Sequence, residues 1–198
     1  MPAKLLIPRQ EYLASGIHIG MKQRVADMKE FIYKIRDDGL AILNLQMIND
    51  RIRVAAKFLS RCKNIMIVGR KSMAHDAVAK FAEVIEAKAV VGRFLPGSLT
   101  NSHFKRYFEA DAIVISDPLI DYQALKEAVS ARVPIVAVCD TFDETRNIDL
   151  VIPANNKGKK ALATLFWLLA REVLKERGVI KNDDDFKYKV EDFGGAGE

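Results

Sequence analysis

The chain has 198 residues, 49% of them hydrophobic and 29% charged, which is enough for one globular domain to bury its own core without disulfide or metal staples. Its two cysteines, Cys62 and Cys139, are too few and too far apart for a disulfide scaffold or a thiolate metal site, and read as reduced structural residues of a cytoplasmic protein. A net charge of +5 and a pI near 9.1 favour a polyanionic partner without naming one.

The opening residues, Met1 to Pro8, hold no long apolar core and are interrupted by Pro2 and Pro8, so they are not read as a signal peptide. Residues 1–30 are mixed and weakly periodic, with one short helix expected from Pro8-Arg9-Gln10-Glu11-Tyr12. Two β-rich runs, Phe31 to Arg36 and Leu40 to Leu45, flank Asp37-Asp38-Gly39 and predict a hairpin, because glycine supplies the positive φ of a tight turn. Ile48, Ile52, Ala55, Ala56 and Leu59 recur at helical spacing through residues 46–61.

From there strands and helices alternate. Strands are expected at Ile65–Val68, Ala89–Val91, Ala112–Ile115, Ile135–Val138 and Asp149–Ile152. Helices are expected at Met73–Ile85, Ser102–Phe108, Tyr122–Ala131 and Lys157–Arg177, the last stopped by Gly178. Continuous apolar strands separated by amphipathic helices predict a three-layer open parallel α/β sheet, with flavodoxin-like strand order 2-1-3-4-5. The expected division is an N-terminal segment, 1–30, a single α/β domain, 31–180, and an acidic, flexible tail, 181–198. Six acidic and three basic residues leave that tail at −3 and residues 1–180 at +8, so the body is more basic than the whole. The longest apolar run, Leu162 to Ala170, is too short to span a bilayer, and no membrane partner is expected.

A doubly wound sheet binds ligands at the carboxyl ends of its strands, here Gly69-Arg70-Lys71-Ser72, Asp117-Pro118 and Cys139-Asp140-Thr141. A phosphate loop needs a glycine five positions before its Gly-Lys pair; Asn64 stands five positions before Gly69, Arg70 follows that glycine, and no Gly-x-Gly-x-x-Gly occurs. Asp117 and Asp140 are read as turn or helix caps in preference to a carboxylate pair or a Mg²⁺ site. His18, His75 and His103 share no metal-ligand spacing. No catalytic residue, metal, cofactor or small-molecule substrate is therefore expected.

Three basic segments could meet RNA. Asn155-Asn156-Lys157-Gly158-Lys159-Lys160 opens the last helix, where free N–H groups and the positive dipole end suit a phosphate; a solvated turn fits equally. The loop from Gly92 to Arg106 mixes turns, hydroxyl and amide donors, cations and aromatics, with Arg93, Thr100, Asn101, His103, Lys105 and Arg106 as contacts. The competing reading is an ordinary loop whose Phe94 and Phe104 pack inward. Gly16 to Arg24 sets His18, Lys22 and Arg24 in a glycine-rich turn that allows close backbone approach or simply flexes. Arg70 and Lys71 complete the set.

Six stretches carry a family resemblance: Tyr12–Gly20, Ile67–Lys71, Gly92–Asn101, Ser116–Ala128, Pro134–Thr141 and Asp149–Gly158. Together, and in this order, they resemble the small-subunit ribosomal protein S2 family over about residues 5 to 178. The version Phe94-Leu95-Pro96-Gly97 and the run Phe166 to Glu172 look archaeal or eukaryotic. Bacterial members insert a coiled-coil hairpin after the Thr-Asn pair, where this chain has only Ser102 to Asp111 before the next strand; eukaryotic members carry a long acidic extension. The resemblance therefore implies an archaeal-type, non-catalytic protein on the solvent side of the small subunit, near the junction of head and body. It implies binding to small-subunit ribosomal RNA and to neighbouring ribosomal proteins such as protein S5. The bacterial role of anchoring protein S1 is not carried over without the hairpin. The alternative from the fold alone is a flavodoxin-like enzyme binding a nucleotide or other small ligand at the strand ends.

Overall fold

The computed structural model describes residues 5–195. Five strands form a parallel sheet in the order β4-β3-β5-β6-β7, built from β3 (Ile65–Gly69), β4 (Lys88–Val91), β5 (Ala112–Ile115), β6 (Ile135–Cys139) and β7 (Leu150–Pro153). Counted within the sheet this is 2-1-3-4-5, the order expected of the apolar strand runs. The three inner strands are buried at every residue, as a sheet covered on both faces requires.

Helices α2 (Leu45–Arg61), α3 (Ser72–Ile85) and α5 (Lys159–Glu176) pack together on one face. Right-handed crossovers run outward through α3, from β3 to β4, and the opposite way through α4 (Tyr122–Ala131), from β5 to β6. Helix α4 therefore covers the other face, and the loop between β4 and β5 shares it. Gly69 ends β3 because a Cβ there would meet Val78 Cγ2 of α3 at 2.8 Å, so glycine lets helix and strand approach.

The N-terminal residues join the same core. Helix α1 (Arg9–Ser15) lies against α5 and buries Tyr12, whose hydroxyl donates to Asn49 Oδ1 at 3.4 Å, an atom that also accepts Leu6 N–H at 2.8 Å. Strands β1 (Ile32–Ile35) and β2 (Ala41–Leu43) form the expected hairpin, with Gly39 at φ +87°. Residues 18–21 extend it as a third, irregular strand: Leu43 N–H donates to His18 O at 2.8 Å and Gly20 N–H to Ala41 O at 2.9 Å.

Three local expectations need correction. The helix expected at Ser102–Phe108 is a pair of turns, closed by Phe104 N–H to Asn101 O and Tyr107 N–H to Phe104 O, both 2.9 Å. A 3₁₀-helix at Ala26–Phe31 fills what read as an irregular stretch, burying Met28 and Phe31. The segment expected to be a flexible tail is packed on the body as far as Gly195. Phe186 and Phe193 are buried, and Trp167 Nε1–H donates to Tyr188 O at 2.8 Å. Phe186, Tyr188, Val190 and Phe193, set among its acidic residues, supply the apolar contact that holds it. The part of the tail reading that concerns residues 196–198, and the reading of residues 1–4, lie outside the described residues.

Candidate nucleic-acid interface

At the carboxyl edge of the sheet one buried carboxylate joins two of the predicted basic segments, through Lys71 and Lys157. Asp117, just past β5, is 1% exposed; its Oδ1 accepts Leu119 N–H at 3.1 Å and Ile120 N–H at 3.2 Å, the turn-capping role expected of it. Its Oδ2 contacts Lys71 Nζ from the end of β3 and, at 3.2 Å, Lys157 Nζ from the start of α5. Burial, opposed by Asp117, holds the Lys71 ammonium below the ordinary lysine range. A buried carboxylate needs such partners, and here it takes two cations out of the set free to meet phosphate.

Behind it lies a second buried network. Asp143 Oδ2 accepts Asp140 N–H at 2.8 Å and Asn156 Nδ2 at 2.7 Å, and Asn156 Nδ2 also reaches Val138 O at 3.3 Å. Burial pushes Asp140 up to about 6, and burial followed by the charge of Asp117 pushes Asp121 up to about 6 and raises Asp143. Asn156 is completely buried, so its expected contact with RNA gives way to a role in this network. Asn155 is half-buried and also turned inward. Its Oδ1 accepts Lys157 N–H at 2.9 Å and Gly158 N–H at 3.2 Å, and its Nδ2 donates to Gly16 O at 3.2 Å. Two of the N–H groups that might have cradled a phosphate at this helix start are thus occupied.

The same carboxyl edge draws in the Gly16–Arg24 segment. Met21 N–H donates to Thr141 Oγ1 at 2.9 Å, and Val25 N–H to Thr141 O at 2.9 Å. Gly20 fits there because a Cβ would sit 2.5 Å from Thr141 Cγ2. This fastening holds Lys22 and Arg24 beside the strand ends with exposed side chains and no ion pair among the described residues. His18 is half-buried on the far side of the same segment, its imidazole held below the ordinary range mainly by burial. Lys159 pairs with Asp76 at 3.0 Å on the surface, and Lys160 is exposed.

The Gly92–Arg106 loop is built differently. Glu127 of α4, 6% exposed, accepts Gly97 N–H at 2.8 Å and Leu99 N–H at 3.2 Å, and Thr100 Oγ1 lies 3.4 Å from it. Phe94 and Leu99 fill the core beneath, as the packing alternative for Phe94 anticipated, and Phe104 is half-buried. Held from below, the loop presents Arg93, Asn101, His103, Lys105 and Arg106 to solvent, and no ion pair engages its cations among the described residues. Gly92 N–H donates to Gly69 O at 3.0 Å, so Arg70 and Arg93 leave neighbouring strand ends. Arg93 and Arg106 line one 290 Å³ groove beside β4.

Arg171 and Arg177 serve the fold. Arg171 Nη2 donates to Leu6 O at 3.0 Å and its guanidinium lies 4.9 Å from the Trp167 ring, while Arg177 Nη1 donates to Ile85 O at 2.7 Å. Among the described residues, no group of three or more His, Cys, Asp or Glu side chains is placed to hold a metal ion, and no helix is long and apolar enough to cross a membrane.

A family model described as Ribosomal protein S2 matches residues 12–110 and 105–176. The chain is 49% identical to a small ribosomal subunit protein uS2 of Thermoplasma acidophilum, over 195 residues that cover 98% of each chain. It is 49% identical to that of Thermoplasma volcanium and 47% identical to that of Picrophilus torridus, each again over 195 residues and 98% of both chains.

Proposed function

This chain belongs to the ribosomal protein S2 family, in its archaeal form, and from that premise we propose that it binds small-subunit ribosomal RNA and neighbouring ribosomal proteins, protein S5 among them. As a member of that family it is a structural constituent of the small ribosomal subunit in the cytoplasm, not an enzyme. The observation that carries the RNA reading is the distribution of unpaired cations. Arg70, Arg93, Lys105 and Arg106, with Lys22 and Arg24, are exposed and without ion pairs among the described residues, on a body of net charge +8. Unpaired surface cations bind phosphates at the lowest cost, since no existing salt bridge has to open.

The cations of this surface all fall within residues 1–180, and the 181–198 segment carries a net charge of −3. Thr100, Asn101 and His103 add hydrogen-bonding groups to the loop, and Lys160 extends the basic surface at the start of α5. The enzyme alternative at the strand ends finds no support in the geometry, because Lys71, Lys157 and Asp117 are already bound to one another.

Co-sedimentation of the purified chain with small ribosomal subunits stripped of their own copy tests the proposal. Binding at moderate salt that weakens steeply as salt rises is the expected result. A chain that stays in the supernatant and binds a nucleotide instead would overturn it.

A further inference from the structure

Between α1 and the β1–β2 hairpin lies a 680 Å³ cleft that the RNA surface described above does not include. Its walls carry four basic side chains, Arg9, His18, Lys34 and Arg36, and no carboxylate lines it. Arg36 pairs with Asp38 at 3.3 Å, whereas Arg9 and Lys34 have no ion pair among the described residues. Tyr33 stands on the rim with 68% of its surface exposed, and Leu13, on α1, is 44% exposed.

These features belong together for a structural reason. The hairpin is extended by residues 18–21 and lies outside the main sheet, so β1 buries little: Tyr33, Lys34 and Ile35 are all exposed. A two-stranded ribbon that packs only one way leaves its other side unpartnered. Here that side offers an aromatic face next to cations, in a concavity within the range of roughly 300–1,000 Å³ that holds small ligands. An aromatic ring beside positive charge, with no carboxylate among the lining residues, matches the chemistry of an unpaired nucleotide, whose base stacks while its phosphate takes the cations. An acidic peptide would satisfy the cations but would leave the exposed ring without its planar partner.

We infer that this cleft receives one unpaired nucleotide of single-stranded RNA, its base stacked on Tyr33 and its phosphate held by Arg9 and Lys34. The inference rests on the RNA-binding reading above and adds a second, base-stacking site to it. Because Tyr33 is exposed, Tyr33→Ala removes the stacking face without opening the core.

A short single-stranded oligouridylate carrying 4-thiouridine serves as the probe. Ultraviolet cross-linking to the full chain, followed by peptide mapping, should place the adduct on the peptide holding Tyr33. Tyr33→Ala should weaken binding of the oligonucleotide about tenfold, with Tyr33→Phe close to the parent chain. Lys34→Ala should weaken it less and lower its salt dependence. An adduct elsewhere, or unchanged affinity in Tyr33→Ala with an unchanged urea midpoint, overturns the inference. In that event the RNA-binding reading stands if the parent chain still binds small-subunit ribosomal RNA; a parent chain that binds no RNA overturns both. In small subunits rebuilt with the chain, a cross-link from residue 33 to a ribosomal protein instead of RNA also overturns it.

Discussion

The carboxyl edge of the sheet and the Gly92–Arg106 loop each set basic residues beside a buried carboxylate, yet the two carboxylates act in opposite ways. At the strand ends the buried carboxylate of Asp117 holds Lys71 and Lys157, and Asp76 holds Lys159. In the loop a buried carboxylate is also present, but Glu127 spends itself on the backbone N–H groups of Gly97 and Leu99 and leaves Arg93, Lys105 and Arg106 free. One carboxylate neutralises the cations, the other shapes the segment that displays them. Counting charge cannot tell these apart, because the difference lies in what each buried acid has for neighbours.

The sharpest way to break the contrast is Asp117→Ala. Removing one partner of a largely buried ion cluster leaves two half-buried ammonium groups uncompensated, and a loss of about 3 kcal/mol is expected in urea denaturation. Affinity for small-subunit ribosomal RNA should hold or rise, since both lysines are released towards solvent. A variant that keeps its stability would mean that Asp117 is not the hub of this edge.

The acids behind that hub make stability depend on pH in an unusual direction. Asp121 and Asp140 each stand at about 6 in the folded protein, above the ordinary value of 3.8. Between those two values the folded state holds protons that the unfolded state has released. Their contribution is therefore fully present below about 4, is lost as pH rises towards 6, and is absent at pH 7. The urea midpoint should fall from pH 5 to pH 7.5, by the equivalent of about 2 kcal/mol, and Asp140→Asn should flatten part of that slope. A midpoint that climbs over this interval would place the buried network in its charged form throughout.

Glu127→Ala tests the other region. It strands the N–H groups of Gly97 and Leu99, at a cost of about 2 kcal/mol, and amide exchange in residues 92–106 should quicken more than in the strands. RNA affinity should fall with it, because a loop without its support no longer presents the three cations together.

The smallest effect separates the two regions on RNA itself. Replacing Arg93, Lys105 and Arg106 with alanine should lower the salt slope of RNA binding by about two to three. Replacing Lys157, Lys159 and Lys160 should lower it by about one, because the first two are already paired within the protein. Equal slopes would erase the distinction.

Much of the fold was legible in the residues. The apolar runs at Ile65–Val68, Ala112–Ile115 and Ile135–Val138 are long enough to be strands and too uniformly apolar to face solvent. Leu162, Leu165, Phe166, Leu169 and Val173 mark the buried stripe of α5. The site was legible only as a set of candidates. Asn155 and Asn156 read as polar ends of a loop beside lysines, and only the packing of β7 against β6 turns Asn156 inward onto Asp143 and Val138. Tyr33, Lys34 and Arg36 passed as ordinary hairpin residues, since nothing local says that α1 lies opposite them and makes a cleft. The run Tyr33-Lys34-Ile35-Arg36, an aromatic residue and two cations within four positions, was the signal that could have drawn notice.

By itself the sequence determined the order of strands and helices, the parallel sheet they form, the basic character of the body and the family. These follow from periodicity, composition and ordered motifs, which are written along the chain and need no knowledge of distant contacts. Tertiary structure alone decided which charges remain free, how the acidic segment up to Gly195 is held, and where a cleft opens. A cation's availability depends on whether a buried carboxylate stands within reach, and Asp117 is 40 residues from Lys157 and 46 from Lys71, separations that only the fold closes.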